Sequence, residues 1–189
     1  DQDPFDLKIF HKRIKTRLPK YKKTIIEESI KYDFDWKLIA AIMYQESRFN
    51  PNAKSITNVR GLMQVTAVTA KEMGIENPLN PLQSVKAGIK YLDKMVKKFD
   101  YIEDEYERML FALASYNIGY GHVIDAMQIA KEKGLMENRW QDLKTVLPLL
   151  SKPDYYKKTK HGYARGWEPV QYIERILTYF DILKQKQKI

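Results

Sequence analysis

Asp35-Trp36-Lys37-Leu38-Ile39-Ala40-Ala41-Ile42-Met43-Tyr44-Gln45-Glu46-Ser47 is the stretch that decides the reading of this chain. Leu38, Ile39, Ile42 and Met43 recur at three- and four-residue spacing, the period of an amphipathic helix. Glu46 follows Met43 by three residues, Ile42 by four and Ile39 by seven. That spacing puts its carboxylate on the apolar side of the helix, at the C-terminal end. A carboxylate there loses hydration and meets the negative end of the helix dipole. Both effects favour the protonated form, the state a general acid needs near neutral pH. An ion-paired or capping glutamate satisfies the same spacing, so periodicity alone leaves both roles open.

The sequence just beyond adds a second clue. No Asp or Glu occurs between Glu46 and Glu72. Enzymes that cut glycosidic bonds usually pair two carboxylates, and this stretch offers no second one. Residues 50–61 are instead rich in turn formers: Asn50-Pro51-Asn52, Ser55, Thr57-Asn58 and Gly61. Short strands are expected over 53–56 and 59–63.

Further out, helical patterns dominate. Asn80-Pro81 supplies an N-cap and a first-turn proline for a long helix with the apolar stripe Leu82, Val85, Ile89, Leu92, Val96 and Phe99. A second runs from Glu105 to Tyr116 and stops near Gly119. A third spans Gly121 to Lys133 and ends at Gly134, and a short one near Trp140–Leu147 stops before Pro148. The last begins near Glu168 with Val170, Ile173, Leu177 and Phe180. The fold class expected is mainly α, with a small turn-rich or β-hairpin patch after the helix that carries Glu46. Residues 1–34 are read as a helical segment packing on a single core unit, residues 35–189.

Composition sets the outer limits. The chain has 189 residues, of which 44% are hydrophobic and 12% aromatic, enough for a real core. Cysteine is absent, so neither disulfides nor thiolate metal sites enter. His11, His122 and His161 lack ligand-like spacing and are read as surface or packing residues; no metal or organic cofactor is implied. The formal charge of +9 fits an anionic polymer or surface, or solubility alone. Its lysine clusters at 20–23, 94–98 and 157–160 resemble solvated helix faces, not a nucleic-acid code, so nucleic acid is not an expected partner. No apolar run approaches the roughly 18 residues of a membrane span. The opening Asp1-Gln2-Asp3-Pro4 has the look of a processed or excised start, which leaves room for a leader, a lipid anchor or an upstream domain. The polar tail at 184–188 is expected to fray.

Four short motifs then stand in one order. Tyr44-Gln45-Glu46-Ser47, Gly61-Leu62-Met63-Gln64, Ala114-Ser115-Tyr116-Asn117-Ile118-Gly119 and Glu168-Pro169-Val170-Gln171-Tyr172 resemble, in sequence, the four signature motifs of the family 1 lytic transglycosylases. Residues 155–172 are most similar to the catalytic modules of its membrane-bound F-type members. Ser115 stands where the family often has Ala. The resemblance implies a lysozyme-like fold and cleavage of peptidoglycan between N-acetylmuramic acid and N-acetylglucosamine, closing a 1,6-anhydro ring. It implies Glu46 as acid and later base. Ser47, Met63, Gln64, Tyr116, Asn117, Glu168 and Tyr172 are implied to shape the sugar site. It also implies a monomer in the periplasm or cell envelope, held at the outer membrane, where it is held, through a region upstream of this sequence. Each residue has a plainer reading: Met63 as core filler, Ser47, Tyr116 and Asn117 as helix-end residues, Glu168 as a first-turn charge. A hydrolytic muramidase of the same fold and a non-catalytic peptidoglycan-binding module are the competing functions.

Overall fold

The computed structural model describes residues 5–186 and 189; the expectations for Asp1–Pro4 and for 187–188 of the tail lie outside the described residues. In chain order the helices are α1 Leu7–Thr16, α2 Pro19–Lys31, α3 Trp36–Ser47, α4 Ala67–Glu72, α5 Pro81–Lys98, α6 Glu105–Ile118, α7 Tyr120–Glu132, α8 Trp140–Val146, α9 Pro153–Tyr156 and α10 Trp167–Gln185. A 3-10 turn, Leu147–Ser151, joins α8 to α9. No helix among the described residues is long and apolar enough to cross a membrane. The chain forms two compact units, one of residues up to Tyr91 together with Arg175–Ile189, the other Leu92–Glu174.

In the first unit α3 is the central element. Its residues from Leu38 to Tyr44 are all buried, so the helix has no polar side along that run. Asp35 starts it, its side chain accepting from the Lys37 amide at 2.9 Å. An aromatic cluster locks it to its neighbours. Tyr44 lies 4.5 Å from Phe10 of α1, 4.8 Å from Tyr179 of α10 and 5.0 Å from Phe49, ring centre to ring centre. Arg13 donates to the Tyr44 hydroxyl at 3.3 Å. The long helix α5 starts as its sequence requires: Asn80 Oδ1 accepts from the amides of Leu82 and Gln83, both at 3.1 Å. Val85 and Ile89 of its stripe are fully buried, but Leu82 is exposed and Val96 only partly covered. Leu82 sits in the first turn, where the stripe runs past the edge of its own core.

The expected strands over 53–56 and 59–63 do not form. One antiparallel bridge, Lys54 to Arg60, is the extent of pairing there. The segment is a hairpin-shaped turn held by Ser55 N to Val59 O (2.8 Å), Gly61 N to Ala53 O (3.0 Å) and Val59 N to Ser55 Oγ (2.9 Å). Side-chain hydroxyls and Asn58 in the left-handed region (φ 67°) replace a regular ladder.

In the second unit α6 packs on α7, and α7 on α8. Phe111 is 5.6 Å from Phe99 and 6.3 Å from Trp140, ring centre to ring centre. Gly119 ends α6 and opens α7 at φ 100°, its amide donating to Ser115 O at 2.9 Å. That positive φ is where a side chain would be strained, which is why a glycine falls between two helices with no intervening loop.

Candidate active site

Glu46 is half-buried, one residue from the end of α3. The backbone just past this end is unusual. Arg48 (φ 58°) and Phe49 (φ 59°) are consecutive left-handed residues, neither a glycine. Each conformation costs on the order of 1 kcal/mol, and the surroundings hold both. The Phe49 ring is buried against Tyr44. Arg48 folds back over its own helix: its Nη1 donates to Tyr44 O at 2.9 Å and Gln45 O at 2.8 Å. Arg17 reaches in from the α1–α2 junction to donate to Arg48 O at 3.0 Å. The last carbonyls of α3 are therefore satisfied by a cation, which offsets the negative helix end beside Glu46. Arg48→Ala removes two hydrogen bonds and the capping charge and is expected to lower stability by about 2 kcal/mol, roughly 4–8 °C in Tm. Arg48→Gly loses the same bonds but suits the backbone, so its melting temperature should fall between parent and alanine variant. A glycine variant melting below the alanine one would contradict this account of the cap.

The remaining expected residues of the first unit are held by their own bonds. Ser47 is buried and its hydroxyl donates to Met43 O at 3.0 Å. Met63 is fully buried, and its amide donates to Ser84 Oγ at 3.1 Å. Its side chain lies so close to Gly88 of α5 that a methyl added at Gly88 would stand 2.6 Å from Met63 Cβ. Gln64 is left-handed (φ 52°), and its side-chain NH2 donates to Gly61 O at 2.9 Å and Ala53 O at 3.3 Å. Both amide hydrogens thus tie the base of the hairpin-shaped turn to the loop 61–64. Gly61 (φ 105°) is needed for the same closeness, since a Cβ there would meet Pro78 O at 3.1 Å and Ser84 Oγ at 3.2 Å. Sequence reading missed Arg48, Ser84 and Gly88; only Arg48, a cation one residue past the helix end, carried a readable signal.

In the second unit the last turn of α6 presents Asn117 exposed and Tyr116 half-buried. Glu168, in the first turn of α10, is exposed and paired with Arg165 at 3.3 Å. Tyr172, one turn later, is buried. His122 and His161 meet edge to face at 6.2 Å, and burial pushes His122 below its ordinary pKa, against the opposing pull of Asp125. That is the packing role expected of His122.

Comparison with known proteins places this arrangement. The lytic transglycosylase Slt of Pseudomonas aeruginosa, solved as an inactive mutant, shares the fold: TM-score 0.64 over 87% of this chain and 24% of that chain, at 22% identity. The mainly α, lysozyme-like class expected from the sequence is therefore the class observed. A protein named membrane-bound lytic murein transglycosylase F from Desulfosudis oleivorans is 57% identical over 187 residues, 99% of this chain and 41% of its own length. One of the same name from Shewanella loihica is 51% identical over 181 residues, covering 96% of this chain and 38% of its own. The chain thus spans about two fifths of the length of these curated relatives. The family model described as "Transglycosylase SLT domain" matches residues 23–138, a span that takes in Glu46–Ser47, Gly61–Gln64 and Ala114–Gly119 but not Glu168–Tyr172. On that match the chain belongs to the transglycosylase SLT domain family.

Proposed function

We propose that this chain carries the catalytic machinery of a peptidoglycan lytic transglycosylase, with residues 35–189 as the catalytic part and 1–34 as a helical support. The observation that carries the reading is Glu46: a half-buried carboxyl group at the end of a buried helix, followed by a stretch with no other carboxylate before Glu72. The names of the relatives, lytic murein transglycosylases that are membrane-bound, support it and favour the cell envelope as its location.

In this reading protonated Glu46 donates to the glycosidic oxygen, and the bond from that oxygen to C1 of N-acetylmuramic acid breaks. The leaving N-acetylglucosamine departs with its hydroxyl restored. The acetamido oxygen of the same muramic acid closes on C1 and takes the place of a protein nucleophile. Glu46, now a carboxylate, accepts the proton of the C6 hydroxyl as that oxygen attacks C1 and releases the acetamido group. The proton returns to Glu46, and no water is consumed. The second step is intramolecular and needs only a held geometry. Asn117, Tyr116, Glu168 and Tyr172 are proposed to orient the sugar groups. Ser47, Met63 and Gln64 serve through the hydrogen bonds and packing that fix the loop after α3. The protein acts as a monomer on glycan strands.

Digestion of purified sacculi with subsequent mass analysis of the muropeptides tests the reaction. Anhydro ends, lighter than reducing ends by one water, are the expected product. Reducing ends would make the chain a muramidase, and unchanged sacculi would make it a binding module.

A further inference from the structure

Three guanidinium groups of the first unit converge on the end of α3 that carries Glu46. Arg13 donates to the Tyr44 hydroxyl at 3.3 Å, Arg17 to Arg48 O at 3.0 Å, and Arg48 to Tyr44 O and Gln45 O at 2.9 and 2.8 Å. The first two bonds are successive rungs: Arg13 and Arg17 are four residues apart, as are Tyr44 and Arg48. Arg48 also lies over the Tyr44 ring, 5.4 Å from its centre. All three arginines are half-buried, yet among the described residues none is paired with a carboxylate. A cation drawn out of water is ordinarily met by an acid. These three bond to neutral oxygens at one helix end.

Capping alone does not call for three. Arg48 by itself satisfies two of the last carbonyls of α3. Arg13 and Arg17 come from α1 and its junction with α2, ahead of the span 23–138 that matches the family model. The other charges on elements packed against α3 do not cancel them. Glu28 of α2 is met by Lys31 at 2.8 Å, and Lys22 stands over the ring of Trp36 in the first turn of α3, the far end from Glu46. Lys8, His11, Lys12 and Lys15 of α1 are exposed. From α10, Arg175 lies over Phe5, and Tyr179, uncharged, meets Tyr44. The end of α3 is therefore left in a positive field, beside the half-buried carboxyl group of Glu46.

We propose that Arg13, Arg17 and Arg48 are positioning residues for catalysis, which fix the end of α3 and set how readily Glu46 gives up its proton. The inference rests on the reading of Glu46 as the acid and base of glycan cleavage, and it makes α1 part of the catalytic apparatus as well as a support. Burial and the helix dipole both hold the Glu46 proton back. A group that must donate first and then persist as a carboxylate base needs an opposing influence, and nearby cations supply it by favouring the charged form. The sign follows directly. Cleavage needs protonated Glu46, so kcat/KM falls as pH rises through its titration. With a guanidinium removed the proton is held more tightly, and the fall moves to higher pH.

The test is the pH profile of sacculus solubilisation at low substrate, measured for Arg17→Gln and Arg48→Gly well below their melting temperatures, with circular dichroism to confirm the fold. Arg48→Gly removes the charge while suiting the left-handed backbone at 48. In both variants the alkaline limb should move up by roughly half a pH unit. Arg48→Lys keeps the charge and should bring the limb back toward the parent's. Lys12→Gln, an exposed cation of the same helix α1, should leave it in place. A purely structural cap would lower the melting temperature and the height of the profile without moving the limb. The proposal is overturned if Arg17→Gln and Arg48→Gly titrate like the parent, or if Lys12→Gln moves the limb as far as they do, since net charge alone would then be the cause. An inactive Glu46→Gln chain beside an unmoved limb sinks this inference alone; a fully active Glu46→Gln chain sinks the catalytic reading beneath it.

Discussion

A Glu46→Gln chain melts where its parent does and releases muropeptides from sacculi a thousandfold or more slowly. The size of the loss reflects what the residue does. Proton transfer by one positioned group contributes roughly 10²–10⁴ in rate, and Glu46 is proposed to act in both halves of the reaction. Glutamine keeps the length of the side chain and a carbonyl acceptor but has no proton to give and none to take back. Folding should be indifferent, because the position is only half-buried and the bonds that end α3 come from Arg48 and Arg17. Glu46→Asp separates chemistry from architecture. It keeps an acid in the wrong place, so it should recover a small part of the lost rate at an unchanged melting temperature. Full activity in the glutamine variant would put the acid elsewhere in the chain. Soluble, folded variants with wild-type glycan affinity and no turnover in the parent either would leave only a binding module.

How much of this was legible in the sequence depended on how local each cause is. Helix starts and stops were readable because their determinants lie within one turn. Asp35 and Asn80 accept from amides two or three residues on, and Gly119 and Gly134 take the positive φ that ends a helix. The hairpin was half legible. Its turn residues were plain, but strand pairing was replaced by hydroxyl and amide side chains bonding to nearby backbone, which composition does not distinguish from a ladder. Glu46 was located correctly on its helix for a partial reason. The spacing put it on an apolar face, yet α3 is buried on every side from Leu38 to Tyr44. Its half-buried state reflects its place at the helix end more than the face it lies on. The supports were out of reach. Gln64 gives both its amide hydrogens to the carbonyls of Gly61 and Ala53, and Met63 meets Gly88 from 25 residues away. Such contacts are fixed by tertiary packing and leave no mark in a local pattern.

Gly166→Ala carries the largest expected loss of stability. A methyl group at this position would stand 1.6 Å from the carbonyl oxygen of Leu147 and 2.3 Å from its carbon. Both are backbone atoms, so no rotamer change can open the space. Nor can the Leu147 side easily retreat, because Leu147 and Leu150 are fully buried and Leu150 O accepts from the Ala164 amide at 3.1 Å. One segment must leave its place, at a cost of more than about 3 kcal/mol, near the upper end for overpacked sites. That corresponds to a fall in Tm of roughly 6–12 °C, or to insoluble protein. Gly162→Ala, four residues earlier, is the control. Gly162 has φ 75° with nothing near its missing Cβ, so alanine meets only the left-handed penalty of about 1 kcal/mol. Calorimetry on the two variants therefore separates close packing from backbone conformation. A Gly166→Ala chain melting level with the Gly162→Ala chain would mean that the approach of residue 166 to the 147 carbonyl is not what fixes the start of α10, and with it Glu168 and Tyr172.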